Sequence, residues 1–166
     1  MNIERATSRP DFEEARQLIA LMAAWDITES RTLGIGDKGV LDAYYGDTPD
    51  MMIARFSAPG AGLLVCRIDG AAVGCGAFSA AGDGAAELHK MFVKPGHRGK
   101  GIGKALLTAI LAEMKQCGYA SARLETVQFM TEAIGLYRAF GFVAAEPFHD
   151  RPENFRAVTL FLQKPL

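Results

Sequence analysis

Apolar residues recur at two different periods along this chain, and the change of period divides it. From Asp11 onward Phe12, Ala15, Leu18, Ile19 and Met22 repeat at helical spacing, with acidic residues in the first turn where the helix dipole favours them. A short strand, Asn2 to Ala6, precedes this helix. Lys38 to Tyr45 reads as a brief second helix, and a stretch rich in Pro, Asp and Gly connects it to about Gly62. There the period drops to two. Leu63 to Arg67 and Ala72 to Ser79 are strand-like runs joined by Ile68-Asp69-Gly70-Ala71, and Asp-Gly between apolar runs is a strong hairpin signal. A second turn, Ala80 to Gly84, leads into a third antiparallel strand, Ala85 to Val93. Ile102 to Cys117 returns to the helical period, with Ile102, Leu106, Ile110 and Met114 on one face and Gly118 as the stop. A strand at Ser121 to Thr126, a helix at Thr131 to Phe140, a turn at Gly141 and a final strand at about Arg156 to Leu162 complete the pattern. Strands first, then strands alternating with helices, imply an α+β (mixed α/β) fold with a mixed sheet and helices on both faces. No repeat, linker or low-complexity segment divides the chain, so one domain over residues 1–166 is expected.

Composition changes this picture little. Of 166 residues 49% are hydrophobic and 22% charged, as in ordinary globular proteins, and the net charge is −1. A nucleic-acid or membrane-surface protein would carry a basic excess, so any basic charge that matters here is local. No apolar run reaches the length of a membrane span and the first residues lack a signal-peptide core, which makes a cytoplasmic protein the expectation, monomer or homodimer. Cys66, Cys75 and Cys117 show no metal-type pairing and read as reduced, buried thiols.

The local basic charge lies in Val93 to Leu106, V-K-P-G-H-R-G-K-G-I-G-K-A-L, where a strand gives way to a helix. This is no Walker A loop: the positions five residues before Gly99 and Gly103 are Lys94 and Arg98, and neither Gly-Lys is followed by a hydroxyl residue. Nor is it G-x-G-x-x-G, because position 104 is Lys. The register that fits is Arg98-x-x-Gly101-x-Gly103 opening a helix, whose first N–H groups and partial positive charge favour an anion. Glycine lets that backbone approach closely, and Arg98, Lys100 and Lys104 add charge. A strand-to-helix turn with a solvated basic rim would satisfy the same spacing.

Val93 to Leu107, V-K-P-G-H-R-G-K-G-I-G-K-A-L-L, resembles the acetyl-CoA-binding motif of the GNAT superfamily of N-acetyltransferases, R/Q-x-x-G-x-G/A. The preceding A-E-L-H-K-M-F-V is similar to that family's fourth strand. Ala133 to Phe142, A-I-G-L-Y-R-A-F-G-F, resembles its later signature, a helix with Ala and Tyr ending in Gly-Phe. The resemblance implies a GNAT (acyl-CoA N-acyltransferase) fold with a mostly antiparallel central sheet, acetyl-CoA as cosubstrate, and no metal. It puts the pyrophosphate on the backbone amides of Arg98, Gly99, Lys100, Gly101, Ile102, Gly103 and Lys104. The pantetheine arm would pair like an added strand along Met91, Phe92 and Val93. Where many relatives carry an Asn that holds this arm, the chain has Met130.

Acetyl transfer to an amine needs a proton acceptor for the ammonium, an acid near the departing sulfur, and a donor for the carbonyl oxygen. Strand alternation puts Glu87, His89, Met91 and Val93 on one face and Leu88, Lys90 and Phe92 on the other. By the resemblance, Glu87 stands at the position that serves as general base in some family members and is the first candidate acceptor, with His89 as the second; Tyr137 matches the family's usual general acid. The Met91 N–H is the candidate carbonyl donor, provided a bulge frees it from the ladder. Trp25, Tyr44, Tyr45 and Thr126, together with Asp26, Glu29, His149 and Arg156, are candidates for the acceptor side. The implied activity is transfer to a primary amine of a small molecule, amino-acid-like or polyamine-like, by direct attack in a ternary complex. A protein or peptide N-acetyltransferase and a non-catalytic acyl-CoA-binding sensor are the alternatives.

Overall fold

Asp69 and Gly70 close the first hairpin with both φ values positive, 50° and 80°, and Asp83 and Gly84 repeat the arrangement at 51° and 72°. Paired positive φ matches the twist of the flanking strands, which is why Asp-Gly signals were legible at both turns. The strands so joined are β2 (Gly62–Ile68), β3 (Ala71–Gly82) and β4 (Ala85–Val93). The structure is a computed structural model and describes residues 1–32 and 34–166; the side chains of Asp42 and Ala43 also fall outside the description.

Around this meander stand β1 (Asn2–Arg5), β5 (Ser121–Val127), β6 (Val143–Ala144) and β7 (Thr159–Pro165), in the sheet order β1-β2-β3-β4-β5-β7-β6. Only β4 and β5 run parallel among the described pairs. The helices are α1 (Arg9–Thr32), α2 (Asp37–Val40), α3 (Pro49–Phe56), α4 (Ile102–Gln116), α5 (Thr131–Ala139) and α6 (Glu153–Arg156), with a π-helical turn at Leu41–Tyr45. The expected mixed sheet covered on both faces is present. Phe12, Leu18 and Ile19 of α1 and Met52 and Phe56 of α3 pack with Val65, Ala77 and Phe92 on one face. Leu106, Ile110 and Met114 of α4 pack with Leu64, Phe78, Leu88 and Tyr137 on the other.

Several expectations need correction. The stretch read as a connection before Gly62 holds α3, started by the Thr48 side chain, which accepts from the Met51 N–H, and by Pro at the first turn. The last strand lies at Thr159–Pro165 because α6 occupies Glu153–Arg156. Cys66 and Cys75 are buried free thiols, but Cys117 is exposed at the end of α4. The alternation in β4 also breaks. His89 faces Ala77 and Phe92 faces Cys75, so Lys90 and Met91 together oppose Gly76, and Lys90 has φ 55°. That bulge shifts the phase by one residue. Met91 and Val93 consequently pack with the α4 side, as Leu88 does, while Phe92 joins the α1 side on which His89 approaches Phe56.

Gly76 makes room for the bulge. A Cβ there would stand 2.6 Å from Ile110 Cδ1 and 2.9 Å from Met91 Sδ. Gly76→Val is expected to lower stability by about 1–3 kcal/mol through overpacking, measured by denaturant unfolding.

Candidate active site

The parallel pairing of β4 with β5 covers only Ala85 to Glu87 against Ser121 to Arg123. Beyond Glu87 the two strands separate, leaving Leu88 to Val93 without a partner on the β5 side. Two cavities open along this stretch of β4.

The first, of about 520 Å³, follows the end of β4 and the start of α4. Met91, Phe92, Val93, Arg98, Gly99, Gly101, Ile102, Gly103 and Lys104 all line it. Gly99 and Gly101 take φ 73° and 79°, and Gly101 caps α4 in the left-handed region without any side-chain cap. From Gly99 through Lys104 no backbone N–H donates to a carbonyl or side chain among the described residues, so the loop presents a row of open donors at a helix start. Two expected contributors differ. The Arg98 amide donates to the Pro95 carbonyl at 3.2 Å, and the Lys100 ammonium folds back onto the Gly96 carbonyl at 3.1 Å, away from the cavity lining. The Arg98 guanidinium donates to the Val93 carbonyl at 3.0 Å and lies over the rings of Trp25 and Phe92, which braces the loop against β4. His97 Nδ1, buried and without a partner among the described residues, also lines this cavity. Unpaired amides, an unpaired imidazole nitrogen and a basic rim fit a diphosphate.

The second cavity, of about 670 Å³, lies between β4, β5, α1 and the π-helical turn. Glu87, at 5% exposure, is as buried as Asp26 in its wall. Its carboxylate accepts from His149 Nε2 at 2.7 Å and from Arg123 Nε at 3.4 Å, and His89 Nδ1 stands 3.9 Å away. His89 Nε2 lies 3.0 Å from both Arg55 and Ser79 Oγ. Arginine can only donate, so Nε2 accepts and the ring proton sits on Nδ1, toward Glu87. Burial, with the positive charges of Arg55 and Lys90, holds His89 well below its ordinary pKa, and it stays neutral. Lys90, lowered by burial against the opposing pull of Asp47 at 3.3 Å, donates to the Tyr44 carbonyl. Asp26, in α1, is pushed up to about 6 by burial although the Tyr45 hydroxyl donates to it; its other oxygen has no partner among the described residues. Tyr137, 6% exposed, is pushed above its ordinary value by burial, and its hydroxyl makes no hydrogen bond to another described residue.

The two cavities meet, sharing Met22, Met91, Phe129 and Met130 in their walls. Tyr44, Tyr45 and Thr126 line the larger one, together with Asp26 and His149; Trp25 instead lines the smaller, edge-on to Phe129. Glu29 and Arg156 line neither. Met130 reaches both and accepts from the Thr126 hydroxyl through sulfur.

The acetyltransferase (GNAT) family model matches residues 19–142. The chain belongs to the GNAT acetyltransferase family. It is similar to an IAA acetyltransferase of Azospirillum brasilense, 35% identical over 132 residues, 78% of this chain and 85% of that protein. An uncharacterized N-acetyltransferase of Escherichia coli, YjgM, is 27% identical over 143 residues, covering 84% of this chain and 80% of its own. The PaiA N-acetyltransferase of Thermoplasma acidophilum, solved in complex with coenzyme A, superposes with a TM-score of 0.72 over both chains completely; at 20% identity it carries the fold alone. As a GNAT enzyme the protein is an acetyltransferase, and the family's acetyl donor is acetyl-CoA.

Sequence reasoning missed Arg55 and Lys90, and it named His149 as an acceptor-side candidate without its pairing to Glu87. His149, 62 positions from Glu87, hangs on the connection after β6, and no periodicity points to that contact. Arg55 sits on the unforeseen α3. Lys90 turns toward the π-helical turn only because of the bulge.

Proposed function

We propose that this GNAT enzyme transfers the acetyl group of acetyl-CoA to the primary amine of a small molecule, amino-acid-like or polyamine-like, by direct attack in a ternary complex. The observation that carries this reading is the meeting of the two cavities at Met22, Met91, Phe129 and Met130, with the Glu87–His149 pair in the wall of the larger. Its 670 Å³ falls within the roughly 300–1,000 Å³ of small-molecule sites, which favours a compact acceptor over a peptide laid across the surface.

Acetyl-CoA supplies a thioester carbonyl and a thiolate leaving group. The open amides of Gly99 to Lys104 hold its diphosphate, and the free edge of β4 aligns its arm beside Met91 to Val93. The Glu87–His149 pair accepts the proton of the incoming amine as one unit, since a shared hydrogen bond couples the two groups. Arg123 orients the carboxylate. His89 serves as a brace, with its lone pair engaged by Arg55. The Met91 amide, next to the bulge, donates to the thioester oxygen. The Tyr137 phenol, kept protonated by burial, donates toward the sulfur.

The test is release of coenzyme A thiol with a panel of amines, amino acids, polyamines and peptides. Turnover of small amines over peptides is the expected result. Stabilisation by acetyl-CoA without thiol release from any acceptor would make the protein a sensor and overturn the reading. With a good acceptor, Tyr137→Phe is expected to lower kcat roughly 10²- to 10⁴-fold.

A further inference from the structure

The cations around the larger cavity pair with acids, with one exception among the described residues. Lys90 meets Asp47 at 3.3 Å, Arg151 grips Glu125, and Arg123 reaches Glu87 at 3.4 Å. Asp26 takes the Tyr45 hydroxyl. Arg55 has no acid among the described residues: its Nη2 donates to His89 and Ser79, its guanidinium lies over the Phe56 ring, and its Nε and Nη1 donors are unused. A guanidinium with an open pair of donors is shaped for a carboxylate. It also stands in register with the reacting end. The His89 ring bridges the two, with Nε2 3.0 Å from Arg55 and Nδ1 3.9 Å from Glu87, so cation and carboxylate are separated by one imidazole and its contacts. The ammonium and carboxylate of one α-carbon span such a gap. Ile35, Val40 and Phe155 form an apolar cluster that also lines the cavity.

We infer that the acceptor is an α-amino acid with an apolar or aromatic side chain, its carboxylate held by Arg55, its amine directed to Glu87 and His149, and its side chain lodged against Ile35, Val40 and Phe155. This rests on the small-molecule reading above and selects within it: a polyamine has nothing to offer Arg55 and brings extra cations toward Lys90 and Arg151. Arg55 is exposed on α3 and its replacement leaves the core intact.

The experiment compares amino acids with the amines made from them by removing the carboxylate, phenylalanine with phenethylamine and leucine with isoamylamine, scored by thiol release. Each amino acid is expected to show the higher kcat/KM, and Arg55→Gln to shrink that preference roughly 10- to 100-fold, chiefly through the KM of the amino acid, as loss of a charged hydrogen bond does. Arg55→Lys should restore part of it. Amines used as well as their amino acids, or a preference indifferent to Arg55→Gln, would overturn the inference while leaving the small-amine reading intact. Absence of thiol release with every small acceptor would sink both.

Discussion

Glu87→Gln should lower kcat roughly 10²- to 10⁴-fold at saturating acetyl-CoA, the range expected for loss of a proton acceptor. The amide keeps the length of the side chain and can still accept from His149, so the geometry at 2.7 Å is retained while the charge is lost. Because the carboxylate is 5% exposed and faces Arg123, removing its charge should also cost about 1–3 kcal/mol of stability; rates must be compared per folded molecule. His149→Asn should be nearly as damaging. If the two groups act as one unit, the double variant Glu87→Gln/His149→Asn loses little beyond the worse single variant, whereas independent groups would multiply their losses. Thermal shift with acetyl-CoA should persist in all three.

Gly101→Val attacks the other half of the site. Nothing lies within 4 Å of a Cβ built at Gly101, so no clash is involved. Its φ of 79° is the obstacle, since a β-branched residue in the left-handed region is strained by about 1–3 kcal/mol. The loop would relieve that strain by rotating, which turns the Gly99 to Lys104 amides away from a common focus. We expect the Kd for acetyl-CoA, measured by isothermal titration, to rise roughly 10- to 100-fold, the affinity equivalent of that strain. Gly101→Ala should lie between the two.

The parts of the molecule that were legible in the sequence are those where one local rule sufficed. The Asp-Gly turns demand positive φ, α4 carries its apolar stripe at Ile102, Leu106, Ile110 and Met114, and both are found where expected. The glycine loop and the Tyr137 helix were legible for a different reason, a family resemblance carried by contiguous residues. What escaped lay where the rules conflict or act over long separations. The helical stripe of α1 continues from Met22 through Asp26 and Ser30, and those polar residues, buried because they line the larger cavity, hid the last turns of the helix. The bulge at Lys90 and Met91 inverted the facing of the end of β4, and a period-two reading cannot see one extra residue. Thr48-Pro49 was a start signal for α3, lost among neighbouring Gly, Pro and Asp; with it went Arg55. His149 joins Glu87 only through the path of the chain after β6.

The account's central claim is that the open amides from Gly99 to Lys104 grip the diphosphate of the acetyl donor. It is tested most directly by following backbone amide resonances of the ¹⁵N-labelled protein during titration with coenzyme A. The largest shifts should fall on Gly99 to Lys104, with smaller ones along Met91 to Val93. Saturating coenzyme A that leaves the Gly99 to Lys104 resonances in place, while others move or none do, would contradict the account.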